Sequence, residues 1–124
     1  MDIRPHRKLE VWKQSLTLVK MIYQVTESFP KTEQFGLTSQ IRRAAVSIPS
    51  NLAEGAGRRG KKEFSYFLNV AQGSISELDT QVELAKMLGY VNQVIYADMM
   101  NQLTTISKML YGLARRVRGE KVEK

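Results

Sequence analysis

Only three prolines interrupt the chain, at positions 5, 30 and 49, and between them apolar residues return every three or four positions instead of every two. That period belongs to the α-helix and excludes a fold built on half-buried strands. From Leu9 the series Leu9, Trp12, Leu16, Val19, Tyr23 climbs one helical face, and Val11, Ser15, Leu18, Ile22, Val25 and Phe29 form a second seam beside it. Pro30 pushes Phe29 out of helical geometry, so the spacing predicts a first helix over 9–28. A second helix over 37–57 carries Leu37, Ile41, Ala44, Ile48 and Leu52 with Ala45, Ala53 and Ala56 on its flanks. Its side chains are small, which predicts close approach by neighbouring helices. Pro49 deletes one backbone bond, to the Ala45 carbonyl, and is expected to bend this helix without ending it. The stretch Gly55-Ala-Gly57-Arg-Arg-Gly60 is expected to end it, on glycines that tolerate left-handed backbone angles.

A third helix over 61–88 follows Phe64, Leu68, Ala71, Ile75, Leu78, Val82 and Ala85, with Gly89 as its stop. Asn92 then suits the N-cap of a fourth helix over 92–117, which carries Ile95, Met99, Leu103, Ile106, Leu110, Leu113 and Val117 and gives way to a polar tail over 119–124. With 124 residues there is material for one core. Four amphipathic helices on short connections therefore predict a single all-α domain over 1–124, an antiparallel up-down-up-down four-helix bundle. A helical array is the other architecture, but no repeat of 30 to 45 residues is visible. The two seams of the first helix, Met21 and the Met99-Met100 pair exceed what one stripe needs, which points either to self-association or to a thick monomer core.

Much chemistry is excluded by what the chain lacks. Cysteine is absent, which removes disulfides, thiolate metal sites and thiol nucleophiles. The one histidine, His6, precedes the helices and is expected to be a solvated terminal residue; no Glu-x-x-His exists, so neither a di-iron bundle nor a hydrolytic triad is expected. We expect no enzyme activity, no cofactor and no metal. No apolar run reaches the ~20 residues of a membrane span, and Met1-Asp2-Ile3-Arg4-Pro5 lacks the apolar core of a signal peptide, so a cytoplasmic protein that does not enter membranes is expected. Gly55-x-Gly57-x-x-Gly60 matches the dinucleotide fingerprint in letters only, because it follows a helix and no strand. It reads instead as a turn that opens the third helix with Arg58, Arg59, Lys61 and Lys62 around free amides, a generic phosphate site. Among the carboxylates Glu54, Glu63, Glu77, Asp79 and Glu83, Glu54 is expected to pair with Arg58 one turn on, and Glu77 to be partly buried against Arg42, Arg43 or Asn51.

Charge is unevenly distributed. Nineteen Lys and Arg face twelve Asp and Glu, a formal charge of +7. Residues 40–62, with Arg42, Arg43, Arg58, Arg59, Lys61 and Lys62 against Glu54, carry +5; residues 111–124, with Arg115, Arg116, Arg118, Lys121 and Lys124 against Glu120 and Glu123, carry +3; residues 1–14 carry +2; the remainder carries −3. In an up-down bundle the start of the first helix, the turn between the second and third, and the end of the fourth share one end, so these segments are expected to form a basic pole. Such a pole attracts a phosphate backbone without reading sequence, and arginine, which outnumbers lysine there, forks onto phosphate. Aromatic residues are not interleaved with these cations, which argues against reading of single-stranded bases.

The string Leu37-Thr-Ser-Gln-Ile-Arg-Arg-Ala-Ala-Val-Ser-Ile-Pro-Ser-Asn-Leu-Ala-Glu-Gly-Ala-Gly-Arg58 resembles the bacterial four-helix-bundle family of 23S ribosomal RNA intervening-sequence proteins. Leu9-Glu-Val-Trp12, Phe29-Pro-Lys-Thr-Glu-Gln-Phe-Gly36, Phe67-Leu-Asn-Val-Ala-Gln-Gly-Ser74 with Glu77, and Leu88-Gly-Tyr90 extend the resemblance over about residues 8–115. It implies an up-down bundle and a homopentameric ring. Some members are encoded within intervening sequences of large-subunit ribosomal RNA genes, which implies RNA, ahead of DNA, as a partner, with no established biochemical activity. A more distant similarity, to the basic pentameric accessory protein of diversity-generating retroelements, implies a protein partner such as a reverse transcriptase. Carried onto this chain, Arg42, Arg43, Pro49, Asn51, Glu54, Gly55, Gly57 and Arg58 look like a signature of fold and assembly. The sequence thus points to a non-enzymatic oligomeric module binding RNA or DNA through Arg42, Arg43, Arg58, Arg59, Lys61, Lys62, Arg115, Arg116 and Arg118. The alternative is a protein-binding scaffold whose arginines pair between subunits.

Overall fold

The computed structural model describes residues 4–119, so the polar tail expected over 119–124 lies, beyond Gly119, outside the described residues. Four α-helices follow one another, α1 (Glu10–Thr26), α2 (Leu37–Ala56), α3 (Lys61–Met87) and α4 (Gln93–Val117), with short 3-10 turns at Pro5–Lys8 and Lys31–Glu33. They form a square in which α1 and α3 each have α2 and α4 as side-by-side neighbours. Direction follows from side chains that meet. Arg42, early in α2, reaches Tyr23 and Thr26 at the end of α1. Leu9 and Val11 line one cleft with Met109, Leu113 and Arg116 near the end of α4. The bundle is therefore antiparallel and up-down-up-down, with α3, at ~1.5 Å per residue, spanning ~40 Å.

The expected stripes supply the core. Leu18, Ile22, Ile41, Ile48, Leu52, Leu68, Leu78, Val82, Met99, Ile106 and Leu110 are all but inaccessible to solvent. Met99 sits inside this core, and Met21 and Met100, each partly exposed, pack against it. Among the described residues, no helix is long and apolar enough to cross a membrane.

The closest contact is between α2 and α3. A Cβ on Gly55 would lie 2.8 Å from Phe67 Cβ and 3.0 Å from Phe64 Cδ1, so only glycine lets the two helices meet there. This corrects the expectation for the Gly55-Ala-Gly57 stretch. Gly57 ends α2 with φ −82°, and the only described residues with positive φ are Gly89 and Gly119, so Gly55 acts through its missing side chain and not through backbone freedom. Higher up, Ser47 Oγ donates to Ser74 Oγ across the same interface. Pro49 is buried and α2 runs through it without interruption. The carbonyls that follow the gap take extra donors, Val46 O from Ser50 Oγ at 2.8 Å and Ser47 O from Asn51 Nδ2 at 2.7 Å.

The end caps obey local chemistry. Gly89 closes α3 with φ 80°, and Asn92 Oδ1 accepts the Ile95 amide at 2.8 Å to open α4. At the start of α2, where Gly36 has no side chain to serve as a cap, Glu33 does so: Oε1 accepts the Leu37 amide at 3.1 Å and Oε2 accepts the Tyr90 hydroxyl at 2.8 Å. One carboxylate thus ties the α1–α2 connection to the α3–α4 connection, and the Phe29 and Tyr90 rings pack 5.2 Å apart beneath it.

Both the tight corner and the shared cap can be tested. Gly55→Ala should destabilise the bundle by about 1–3 kcal/mol through overpacking, whereas Gly73→Ala on the open face of α3, where nothing lies within 4 Å of the added methyl, should stabilise it by about 0.5–1 kcal/mol, both read from urea midpoints. The Leu37 amide first, then the Tyr90 hydroxyl, hold the Glu33 carboxyl below its ordinary value of 4.5. A lowered carboxyl pKa contributes stability that is complete above the unfolded value and disappears as pH falls through the folded one. Unfolding midpoints should therefore drop on acidification below 4.5, and Glu33→Gln should flatten that acid limb.

Candidate nucleic-acid interface

Four chain segments meet at one end of the bundle: the Pro5–Lys8 turn with the start of α1, the end of α2, the start of α3 and the end of α4. Residues 4–13, 54–63 and 111–118, which make up this end, carry eleven Lys and Arg against three Glu, while the rest of the described chain carries six of each sign. The whole excess of positive charge among the described residues thus sits on one pole.

Within the pole the cations have different duties. Arg58 is held, with Nη2 3.2 Å from Glu54 Oε1 as the sequence spacing predicts, Nε 4.0 Å from Glu63 Oε2, and its guanidinium 5.1 Å over the Phe67 ring. Arg59, Lys61 and Lys62 are exposed and form no ion pair among the described residues. They flank Gly60, which opens α3 without a side-chain cap, so the first amides of the helix face solvent beside three unpaired cations. Arg115, Arg116 and Arg118 close α4 on the neighbouring corner; Arg115 and Arg118 already hold partners, and Arg116 lines the cleft shared with Leu9, Glu10 and Val11. Arg4 and Arg7 likewise hold partners, Arg7 lying 5.5 Å over the Trp12 ring. His6 is not the solvated terminal residue expected from its position: it is half-buried, packs edge-on against Trp12 at 4.8 Å, and lines a cleft with Pro49 and Ala53 of α2.

Arg42 and Arg43 do not join the pole. They precede the end of α2 by fourteen and thirteen residues, about 20 Å along the axis, so the basic segment 40–62 is divided by the rise of its own helix. Arg42 clasps the end of α1: Nε donates to Thr26 Oγ1 at 2.8 Å, Nη2 donates to the Tyr23 carbonyl at 3.4 Å, and the guanidinium stacks 4.5 Å over the Tyr23 ring. A cation at a helix C-terminus offsets the negative end of its dipole. Arg43 is exposed on the outer face of α2, in a groove of about 760 Å³ that also involves Phe35, Val46 and Ser50. The partner expected for Glu77 is absent too. Glu77 shares a shallow cleft with Arg43, yet it forms no ion pair or hydrogen bond among the described residues, and Asn51 is spent on its own helix. The reason is exposure: Glu77 lies on the wet edge of α3, where a carboxylate needs no partner. No group of three or more His, Cys, Asp or Glu that could hold a metal forms among the described residues.

The family model for 23S rRNA-intervening sequence proteins matches residues 7–112. The chain belongs to this family. Its fold is also that of a solved protein of unknown function from the S23 ribosomal protein family of Bacteroides thetaiotaomicron, 24% identical, with a TM-score of 0.77 over 85% of this chain and 95% of that one. No curated protein matches. The matched span covers the glycine-tight α2–α3 corner and the cations of the α2–α3 turn, whereas Arg4, Arg115, Arg116 and Arg118 of the basic end lie outside it.

Separating clasp from surface charge gives a test. Arg42→Ala should cost about 1–3 kcal/mol of unfolding free energy by removing charged hydrogen bonds, and Arg43→Ala should stay within about 0.5 kcal/mol of the parent in the same denaturation experiment.

Proposed function

We propose that this protein is a non-enzymatic helical module of the cytoplasm that binds RNA, in preference to DNA, through its basic pole, and works as a homo-oligomer. One observation carries the reading: the pole holds the entire positive excess of the described chain, and Arg59, Lys61 and Lys62 at its centre are exposed and unpaired beside open helix amides. Cations already locked to carboxylates release few counterions on meeting a phosphate backbone, whereas unpaired ones do so fully. The family takes its description from 23S rRNA, which favours RNA among the polyanions. Self-association, as the pentamer that the resemblance implies, is supported by apolar side chains left in water away from the pole.

Those same side chains favour a second reading, a scaffold for a protein partner such as a polymerase. At the end opposite the pole Phe35 is 90% exposed, Met87 74% and Val94 70%, around connections that the Glu33–Tyr90 bond holds together. On that reading the arginines would serve as pairing groups between subunits.

Salt separates the two. Binding of ribosomal RNA fragments should weaken steeply with salt. Each phosphate that a cation neutralises adds roughly 0.7–0.9 to the slope of log K against log salt, so Arg59→Ala/Lys61→Ala/Lys62→Ala should reduce that slope by about 2. Lys20→Ala/Lys31→Ala, away from the pole, should leave the slope as it was. Loss of the oligomer in light scattering, with RNA affinity never measurable in the parent, would decide for the scaffold.

A further inference from the structure

Building on the reading of the basic pole as an RNA surface, we infer that its ligand is an unpaired strand whose bases stack on Tyr66 and Tyr111. The five tyrosines of the chain divide by their place in the bundle. Three lie toward the far end and are engaged in the fold: Tyr90 donates its hydroxyl to Glu33 at 2.8 Å, Tyr96 donates to Glu83 at 2.6 Å, and Tyr23 lies under the Arg42 guanidinium. The other two, Tyr66 on α3 and Tyr111 on α4, are each 61% exposed, and neither hydroxyl has a partner among the described residues. Both stand near the pole. Tyr66 comes five residues after α3 begins and Tyr111 six before α4 ends, so each lies about 8–9 Å from its helix terminus. The two helices are joined side by side by the Gln72–Ser107 hydrogen bond of 2.9 Å, and both tyrosines fall between that bond and the pole.

Each ring has a cation on the same helical face one turn nearer the pole, Lys62 for Tyr66 and Arg115 for Tyr111. Tyr66 is further braced by Phe67, whose ring meets it edge-on at 5.1 Å and in turn lies under Arg58 at 5.1 Å. Each of the two helices thus sets a cation and an exposed ring one turn apart near the pole, a local pairing that the overall separation of basic and aromatic residues along the chain conceals. A duplex would use the cations and leave the rings idle, because its bases are stacked inside. An unpaired strand can put its phosphates on Arg59, Lys61 and Lys62 and a base face on each tyrosine, the combination by which single strands are held without sequence readout. A protein partner suits the rings less well, since the most exposed aliphatic side chains, Met87 at 74% and Val94 at 70%, are at the opposite end.

The test is fluorescence anisotropy with a labelled, unstructured single-stranded RNA of about 16 nucleotides and with the duplex formed by annealing its complement, at one salt concentration. The single strand should bind at least about tenfold more tightly than the duplex, and Tyr66→Ala/Tyr111→Ala should cost it about tenfold per ring while leaving duplex affinity alone. Tyr66→Phe/Tyr111→Phe should restore the parent value, because stacking needs the ring and not the hydroxyl. Both side chains are on the surface, so circular dichroism should show every variant folded. Equal affinity for the two probes, or a single-strand affinity untouched by the alanine pair, would overturn the inference and leave the RNA reading standing. A change of molar mass in light scattering, with unchanged single-strand affinity, would overturn it by assigning the rings to contacts between protein chains. Binding of neither probe by the parent would overturn both.

Discussion

The architecture depends on how closely α2 can approach α3. Gly55 stands where any side chain would strike Phe64 and Phe67, and Ala44 and the Ser47–Ser74 pair keep the surfaces thin further along the contact. The benefit of such closeness is dispersion and apolar burial over many small contacts, and it disappears when even one methyl group forces the helices apart. Because the tight point is at the end of α2, it also fixes where the Gly57–Gly60 turn emerges and therefore where Arg59, Lys61 and Lys62 are presented.

Charge segregation then follows from helix direction. Three basic segments far apart in the chain share one end because alternate helices run oppositely, while two arginines inside one of those segments are carried about 20 Å away by the helix that contains them. Arg42 shows what happens to a cation so displaced. It meets a helix C-terminus, a tyrosine face and a threonine hydroxyl, and becomes part of the fold. The molecule is thus polar along its axis, cationic at one end and, at the other, clasped by Glu33 and Tyr90 beneath exposed apolar side chains.

Much of this is legible in the amino-acid order. Apolar spacing places four helices to within about two residues of their ends, and Gly89, Asn92 and the Glu54–Arg58 pair act as local chemistry predicts. What escapes is what depends on distance through space. Nothing local separates the role of Gly55 from that of a turn glycine, because the phenylalanines that require it come nine and twelve residues later on another helix. The partners of Arg42 lie sixteen and nineteen residues earlier, and the Glu33–Tyr90 bond spans fifty-seven, with no periodic pattern to mark either. Glu77 departs from expectation for a different reason: it sits beside an apolar stripe, and a shift of a few tens of degrees around α3 decides between a buried carboxylate and a wet one. His6 leaves the solvent because the short Pro5–Lys8 turn folds back onto Trp12, a return that no spacing in the sequence announces.

The packing of that turn gives the molecule an optical asymmetry. The chain has a single tryptophan, and its indole lies at the cationic end, half-buried between the His6 ring and the Arg7 guanidinium and bordering a cleft with Pro49. The aromatic residues of the opposite end, Phe29, Phe35, Tyr90 and Tyr96, are silent when light is absorbed by indole alone. Intrinsic emission excited at the red edge therefore originates from one tip of the bundle, so the protein carries its own reporter of events there without any attached dye.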